Sequence, residues 1–481
     1  MILPGIRHFF CFKRGFLMRD LSVGSERRLI FNFTLPMLLG NVFQQLYNIV
    51  DSIIIGNYLG KEALAAVGAS FPVIFTLISF VIGITTGANI IIAQFFGAKQ
   101  NEKVKASIDT LFIFLFVASI VISTLGIVFS ESIFELMSLP AEVIPSAKSY
   151  FVIYSIGYIF FFGFNGTSAI LRGLGDSKTP LYFLIFATLA NIVLDYLFLI
   201  VFNWGIEGVA WATLLAQAGA FFSLIIYLNK YQKKGFVRLN PMKLQFDKQL
   251  FYQSVKIGLP NGIQNTLVAL GMFALFSIVN AFGTATSAAY SIAMRIDSFA
   301  SLPAMNFAAA LATFTGQNLG ANKPDRLRKG MNFTLQISSF VSIFVSSIAW
   351  LFSKELISLF TNDPEVIRIG SEYLLYVCSF YIVFSTMFVL NGVIRGAGET
   401  LVPMFITLLA MWFVRIPAAY LLSGLWGTIG LWLSIPTGWL VGLILSFVYY
   451  KTNRWKSKVV IDFSERNVME NSLKEARISL D

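Results

Sequence analysis

Two carboxylates interrupt apolar stretches in the first half of the sequence. Asp195 lies in the middle of the run NIVLDYLF, and Asp51 lies in the run YNIVDSIII. Ionisable residues are rare inside membrane-spanning segments and usually mark the path of an ion or proton. Asn191 precedes Asp195 by four residues, so a helix would place both side chains on one face. This pattern is suited to the binding of a proton or a hard cation through oxygen atoms.

The polar residues of the first half are predicted to lie at a similar depth. With a rise of 1.5 Å per helical residue, Asp51, Asp195 and Thr213 lie about 7, 9 and 10 Å below the outer ends of their predicted helices. Tyr150, at the start of the fourth predicted helix, would overhang them. We therefore predict a cation-binding pocket made by Asp51, Tyr150, Asn191, Asp195 and Thr213. The alternative is structural, because polar side chains often join membrane helices by hydrogen bonds.

The composition indicates an integral membrane protein. Of the 481 residues, 56% are hydrophobic and 13% are charged, and the mean hydropathy is +0.73. Apolar stretches of about 20 residues, long enough to cross the hydrocarbon core of a bilayer, recur along the chain. We predict an all-α protein with twelve transmembrane helices. The predicted spans are 29–55, 68–92, 108–130, 150–171, 180–201, 206–229, 251–281, 287–314, 332–352, 371–394, 402–422 and 427–450.

The basic residues predict the orientation of the chain in the membrane. The two tails and alternate loops hold 29 of the 36 Lys and Arg residues, and the opposite loops hold only four. Loops that stay in the cytoplasm carry the excess of positive charge, so both termini are predicted to be cytoplasmic in a cell-membrane protein. The net charge of +11 is therefore explained by topology and does not indicate nucleic acid binding.

The chain repeats itself at an offset of 223 residues. The segment at 94–105 resembles that at 317–328, ILRGLGDSKTP at 170 resembles VIRGAGETLVP at 393, and a third pair begins at 141 and 364. Each half has an even number of helices, so we predict two parallel six-helix repeats with a substrate path between them. The predicted parts are a cytoplasmic tail (1–28), an N-lobe (29–229), a cytoplasmic linker (230–250), a C-lobe (251–450) and a second tail (451–481).

Several kinds of chemistry lack the residues they need. His8 is the only histidine, and Cys11 and Cys378 are the only cysteines. Zinc hydrolysis and histidine acid–base catalysis are therefore excluded, and no disulfide framework is expected. We expect no enzyme activity and no cofactor. The protein is predicted to be a monomer embedded in the lipid bilayer. The N-terminal segment does not resemble a signal peptide, and Met18 could equally be the start.

The repeat separates functional residues from scaffold residues. The positions equivalent to Asp51 and Asp195 are Ala274 and Ala418. Carboxylates needed only for the scaffold would be expected in both halves, so their presence in one half favours a functional role. Arg172 and Arg395 occupy equivalent loops, where they either gate the path or belong to ordinary loop architecture.

The sequence resembles the multidrug and toxic compound extrusion (MATE) transporters over residues 29–450. The resemblance rests on LPMLLGN and YNIVDSIIIGNYLG in the first predicted helix, QFFGA after the second, ILRGLGD before the fifth and NIVLDYLF within it. It implies a secondary antiporter that exports cationic amphipathic compounds in exchange for H⁺ or Na⁺. It also implies that Asp51, Tyr150, Asn191, Asp195 and Thr213 match the N-lobe cation site of the DinF-like branch. Pro36 would be the hinge proline of the first helix.

The second half departs from the NorM-like branch of that family. The seventh predicted helix has no acid, and the tenth has only Glu372 at its outer end, which argues against a C-lobe cation site. Methionine and phenylalanine side chains there would line an adaptable drug cavity, or simply form core. These residues are Met272, Phe273, Met294 and Met305.

Two further alternatives concern the coupling ion and the cargo. H⁺ is favoured over Na⁺ because the two buried acids have no basic neighbour in the sequence that would keep both ionised. The alternative cargo is a lipid-linked oligosaccharide, carried by a flippase of the same superfamily. Such a cleft needs several cationic residues, and only Lys256, Arg295 and Arg415 lie at membrane depth.

Overall fold

The computed structural model describes residues 18–137, 139–231 and 237–461. Cys11, His8 and the alternative start at Met1 lie outside these ranges. Within the described residues, eight single helices are long and apolar enough to cross a membrane, or ten spans if each of two bent helix pairs counts as one. Two further long helices, Glu26–Tyr58 and Thr284–Gly320, complete a set of twelve, as predicted.

The first six helices are named α1 to α6, and together they are called the N-lobe. Most of them extend several residues beyond the predicted spans, since a helix continues past the hydrocarbon until its sequence ends it. Their bounds are Glu26–Tyr58 (α1), Gly60–Gly97 (α2), Asn101–Leu136 (α3), Ile144–Ile156 with Tyr158–Gly173 (α4), Lys178–Tyr196 followed by the π-helical turn Leu197–Val201 (α5), and Gly205–Tyr231 (α6).

The last six helices, α7 to α12, are called the C-lobe. A short helix, Ser353–Ser358, lies between α9 and α10. Their bounds are Lys248–Asn280 (α7), Thr284–Gly320 (α8), Pro324–Leu351 (α9), Pro364–Cys378 with Tyr381–Gly396 (α10), Leu401–Leu408, the π-helix Leu409–Arg415 and Ile416–Trp426 (α11), and Thr428–Lys451 (α12).

Equivalent helices of the two lobes share irregularities that the hydropathy pattern does not predict. The two parts of α4 are bent by 49° and the two parts of α10 by 47°. Tyr158 and Tyr381, which are 223 residues apart, each begin the second part. Helices α5 and α11 each contain a π-helical segment. Such segments occur often at functional sites.

Three hydrophobic cores hold the helices together. One is formed mainly by residues of α2 to α6, and a second by the halves of α7 to α12 that lie away from the chain ends. The third joins the start of α1 to α8, α9 and α10 and includes Trp455, which follows α12. This third core lies on the face of the protein where the described chain ends meet, which is called the terminal face.

The two lobes are closed against each other on the terminal face. A Cβ atom added to Gly97 of α2 would lie 2.0 Å from the Gln317 carbonyl oxygen, and one added to Gly320 of α8 would lie 2.0 Å from that of Gln94. Gly97 and Gly320 are equivalent in the two repeats. Only glycine permits so close an approach of two backbones, so these residues bring α2 and α8 into contact.

The equivalent loops before α5 and α11 act as helix caps. Gly175 and Gly398 have positive φ angles of 81° and 98°, which end the preceding helices in the left-handed region. Asp176 then accepts hydrogen bonds from the Lys178 and Thr179 amides, and Glu399 accepts from Leu401 and Val402. These contacts support the interpretation of the loops that contain Arg172 and Arg395 as ordinary loop architecture.

Candidate functional site

Four helices of the N-lobe bring most of the predicted cation-binding residues together. Asp195 on α5 is 0% exposed, Asn191 one turn earlier is 2% exposed, and Thr213 on α6 is 4% exposed. Asp51 on α1 is partly buried. Tyr150 on α4 is buried and lies within electrostatic range of Asp51. The structure therefore brings these side chains close together within the N-lobe, and their role in cation binding stays a prediction.

Asn191 links the two other polar residues of α5 and α6. With its amide oriented so that both ends are satisfied, its nitrogen donates to Asp195 Oδ2 at 2.8 Å and its oxygen accepts from the Thr213 amide at 3.3 Å. Asn191 therefore fixes the position of the Asp195 carboxyl group.

The carboxyl groups of Asp51 and Asp195 contact each other. The two side chains are within hydrogen-bonding reach, and Oδ1 of each finds no donor among the described residues. A hydrogen bond between two carboxyl groups requires that one of them carry a proton. Neither acid pairs with a lysine or arginine in the described part of the chain. The pair is therefore suited to hold one proton, or a cation between its oxygens.

Tyr47 joins the site although it was not among the predicted residues. Its hydroxyl lies 3.3 Å from Thr213 Oγ1, and the ring is close enough to be affected by Asp51. The signal in the sequence was its position one turn before Asp51. The Tyr150 and Tyr154 rings stack at a centroid distance of 6.0 Å. Tyr47 and Tyr150 both lie within electrostatic range of Asp51.

Two backbone features occur in the helices that carry the carboxyl pair. The π-helical turn Leu197–Val201 begins two residues after Asp195. Pro36 is buried inside α1, which runs without a break from Glu26 to Tyr58. Proline removes a backbone hydrogen bond from the helix interior and so weakens it locally. The role of Pro36 as a hinge stays a prediction.

The four residues predicted to line a drug cavity are dispersed. Met294 lies in the C-lobe, where its sulfur accepts from the Tyr373 hydroxyl at 3.9 Å. Met272, Phe273 and Met305 are exposed on α7 and α8. The contacts of the described residues do not unite them in one pocket, so the cavity stays a prediction.

A second polar cluster lies in the C-lobe and includes an acid that the repeat comparison passed over. Asp297 on α8 accepts a hydrogen bond from the Tyr381 hydroxyl of α10, and Arg415 of α11 lies nearby. The position equivalent to Asp297 in the N-lobe is Ile74, so comparison with the N-lobe acids could not reveal it. Its signal was the sequence MRID, a charged pair inside an apolar helix.

No group of three or more His, Cys, Asp or Glu residues that could hold a metal ion occurs in the described ranges. The N-lobe pair offers two carboxylates only. Its remaining oxygen ligands are an amide, a hydroxyl and phenols, which suit a proton or a singly charged hard cation.

Comparison with known proteins places the chain among transporters. The MatE family profile matches residues 36–197 and 260–421. The probable multidrug resistance protein YpnP of Bacillus subtilis is 33% identical over 91% of this chain and 98% of its own length. The probable multidrug resistance protein YoeA of the same organism is 33% identical over 89% and 94%. A crystal structure of MATE in the straight conformation has the same fold, with a TM-score of 0.85 at 24% identity over 93% and 99% of the two chains.

Proposed function

Because the chain belongs to the MatE family, which is a family of transporters and not of enzymes, we propose that it is a secondary antiporter that exports cationic amphipathic compounds by alternating access. The contact between Asp51 and Asp195 carries this proposal. The names of the relatives, which describe multidrug resistance proteins, support a drug-like cargo. The N-lobe pocket would be the coupling site, and the cleft between the lobes would be the path of the cargo.

The proposed coupling ion is H⁺. Two carboxyl groups in contact inside a membrane protein repel each other when both are ionised, so one proton stabilises the pair. Asn191 donates to Asp195, and the Tyr47 and Thr213 hydroxyls satisfy each other. A sodium ion would need several of these oxygens to turn inward together. The proton therefore fits the observed arrangement with less rearrangement, and Na⁺ is the alternative.

The electrical driving force suffices for such an exchange. Moving one elementary charge through 100 mV releases about 2.3 kcal/mol. If two protons enter for each singly charged cation that leaves, net positive charge moves inward and the membrane potential drives export. Asp51 and Asp195 together provide two carboxyl groups for this exchange.

The proposed orientation places both termini in the cytoplasm of a cell-membrane protein. The unequal distribution of Lys and Arg supports it. The terminal face, where the lobes are closed, would then be the cytoplasmic face. The carboxyl pair in α1 and α5, together with the lack of acids in α7, supports a place in the DinF-like branch. The protein is proposed to act as a monomer.

Dye efflux from proteoliposomes tests the proposal. Sodium-free vesicles that contain the purified protein and rhodamine 6G would be given a pH gradient. We expect dye movement that depends on the gradient and that is lost in Asp195→Asn. Movement that appears only under a sodium gradient would replace H⁺ by Na⁺ and leave the site in place. No movement of a panel of cationic dyes under either gradient would contradict the antiport of such compounds.

The alternative function is a lipid-linked oligosaccharide flippase. Of the three basic residues predicted at membrane depth, Lys256 and Arg295 are exposed and only Arg415 is buried. A pyrophosphate group would need several converging cations, which these positions do not provide. Transport of a fluorescent lipid pyrophosphate between leaflets, unaffected by Asp195→Asn, would favour the flippase.

A further inference from the structure

Helices α2 and α7 belong to different lobes, yet their backbones touch within the predicted membrane spans. A Cβ atom added to Gly83 of α2 would lie 2.6 Å from the Gly258 carbonyl oxygen of α7. One added to Gly87, one turn further along α2, would lie 2.4 Å from the Ser254 carbonyl oxygen. Small residues at an interface between membrane helices permit such an approach and increase the packing contact. At these glycines the two helices therefore pack without side chains between them.

The contact between α2 and α7 continues away from the terminal face. A Cβ atom added to Gly262 would lie 3.2 Å from the Phe80 Cα atom. The hydroxyl oxygens of Ser79 and Thr266 are 3.2 Å apart. From Ser79 to Gly87 the contact covers about 12 Å along the axis of α2, at a rise of 1.5 Å per residue. It is therefore a long contact between helix backbones, with a hydrogen bond at its outer end.

Larger residues replace these glycines in the equivalent contact between α8 and α1. At the offset of 223 residues, the replacements are Asn306, Ala310, Leu35 and Leu39. Leu35 and Leu39 are 42% and 41% exposed, whereas the equivalent glycines of α7 are buried. A hydrogen bond joins the two helices here, from Asn41 Nδ2 to Asn306 Oδ1 at 2.9 Å. Side chains, and not packed backbones, therefore connect α1 and α8 at this depth.

Polar contacts hold the start of α1 against the C-lobe on the terminal face. Arg326 of α9 pairs with Glu26 of α1 at 3.1 Å and donates to the Gly24 carbonyl oxygen at 2.7 Å. Lys323 donates to the Ser22 carbonyl oxygen at 3.0 Å. These three contacts are called the latch. The ion pair is partly exposed, so water replaces it at small net cost when it breaks. The latch is thus a contact that can open and close.

A neutral residue replaces the acid of this ion pair on the α7 side. Gln249 of α7 corresponds to Glu26 in the repeat. Lys103 of α3 corresponds to Arg326, and its amino group lies over the Phe95 ring, 5.7 Å from the centroid. The two sides of the interface between the lobes therefore differ. The α1 side closes through an ion pair on the terminal face, and the α7 side closes through backbone packing within the membrane spans.

We propose that the contact between α2 and α7 is the pivot on which the lobes rotate, and that α1 and α8 separate when the cleft opens on the terminal face. Alternating access moves one repeat against the other as a rigid body, so this inference rests on the proposed function. Parting α2 from α7 would lose close packing along the whole contact. Parting α1 from α8 loses one amide hydrogen bond and the latch. The cleft therefore opens on the α1 side.

Spin labels at equivalent positions compare the two sides directly. The exposed positions are Ser25 and Asp325 on the α1 side, and Lys248 and Glu102 on the α7 side. Double electron–electron resonance on the purified full-length protein gives a distance distribution for each pair. Arg326→Gln breaks the latch, so we expect it to add a longer component to the Ser25–Asp325 distribution. The Lys248–Glu102 distribution should stay as in the wild type.

Two matched variants control this measurement. Lys103→Gln changes the equivalent cation on the α7 side and should leave both distributions unchanged. Arg326→Lys keeps the positive charge of the latch and should resemble the wild type, which separates opening of the latch from misfolding. Lengthening on both sides in Arg326→Gln, or on the α7 side alone, would overturn the proposal. So would an unchanged distribution on both sides.

Covalent links test whether transport tolerates a fixed pivot. The pairs Ser79→Cys/Thr266→Cys and Asn41→Cys/Asn306→Cys are made in protein whose native cysteines are replaced by serine, and a short bifunctional thiosulfonate links each pair. The first linked variant should keep at least half of the rhodamine 6G efflux of its unlinked form. The second should lose at least tenfold, and equal losses would overturn the pivot.

The two experiments separate the pivot from the proposed function. If no unlinked variant moves dye under either ion gradient, the proposed antiport fails. The label distances need no cargo and no gradient, so they decide between the α1 side and the α7 side in either case.

Discussion

Gln94 and Gln317, which are 223 residues apart, make the same hydrogen bond to opposite lobes. Gln94 Nε2 donates to the Gly396 carbonyl oxygen at 3.1 Å, and Gln317 Nε2 donates to that of Gly173 at 2.8 Å. Gly173 and Gly396 are themselves equivalent in the repeat. The oxygen atoms of the two glutamines accept from the Val460 and Leu21 amides, at 2.8 Å each. The closed terminal face is therefore a symmetric contact that both ends of the chain complete.

Alanine at the close approach of α2 and α8 should separate the lobes on the terminal face. In the variant Gly97→Ala/Gly320→Ala, each new methyl group would meet a carbonyl oxygen at 2.0 Å, so the backbones must move apart. Spin labels at Glu102 and Asp325, on the exposed starts of α3 and α9, report the separation by double electron–electron resonance. We expect a shift to longer distances.

Gly68→Ala is the control for this experiment. Gly68 lies on the same helix α2, but a Cβ atom there would meet nothing within 4 Å. The distance distribution of this variant should equal that of the wild type. An unchanged distribution in the double variant would contradict the closure described for the terminal face.

Removing one carboxyl group of the N-lobe pair should abolish coupled transport. Asp195→Asn keeps the shape of the side chain but removes the charge that a proton neutralises, so efflux of rhodamine 6G should fall at least tenfold. Ala418→Asn places the same amide at the equivalent position of the C-lobe and should reduce efflux less than twofold. Efflux rates are compared at equal amounts of inserted protein. Equal losses in both variants would give Asp195 a structural role.

Much of the fold follows from the sequence, because hydropathy and a strict repeat offset are long-range signals. The bends of α4 and α10 and the π-helical segments of α5 and α11 were not predicted, since they depend on packing between helices. The site was predicted where acids interrupt apolar runs, as at Asp195. Tyr47, one turn before Asp51, and the C-lobe cluster of Asp297, Tyr381 and Arg415 were missed because spacing along one helix does not identify the side chains that meet it from other helices. Their partners on other helices become visible only in three dimensions.

The proposed orientation predicts which loops can be labelled from outside the cell. Glu142 is exposed just before α4, and Asn362 is exposed just before α10. A single cysteine at either position should react with an impermeant maleimide in intact cells. Cysteines at Glu102 and Asp325 should react only after the membrane is made permeable. The native Cys11 and Cys378 are replaced by serine beforehand. The reverse pattern would invert the orientation and place the closed face outside.

Replacing the proline inside α1 should slow transport without damaging the fold. Pro36→Ala restores an amide donor to a helix interior in which proline costs about 3 kcal/mol. The melting temperature should therefore stay the same or rise, whereas efflux should slow several-fold if α1 must bend during the cycle. A wild-type efflux rate would show that the cycle does not use flexibility at Pro36.

The central claim is that the contacting carboxyl groups of Asp51 and Asp195 hold a proton that the cargo releases. Purified protein in weakly buffered, sodium-free detergent solution would be mixed with rhodamine 6G, and a pH indicator dye would record the protons set free. The account predicts proton release that saturates with bound dye in the wild-type protein, is absent in Asp51→Asn and Asp195→Asn, and persists in Ala418→Asn. Dye binding without proton release in the wild type, or equal release in Asp195→Asn, would contradict it.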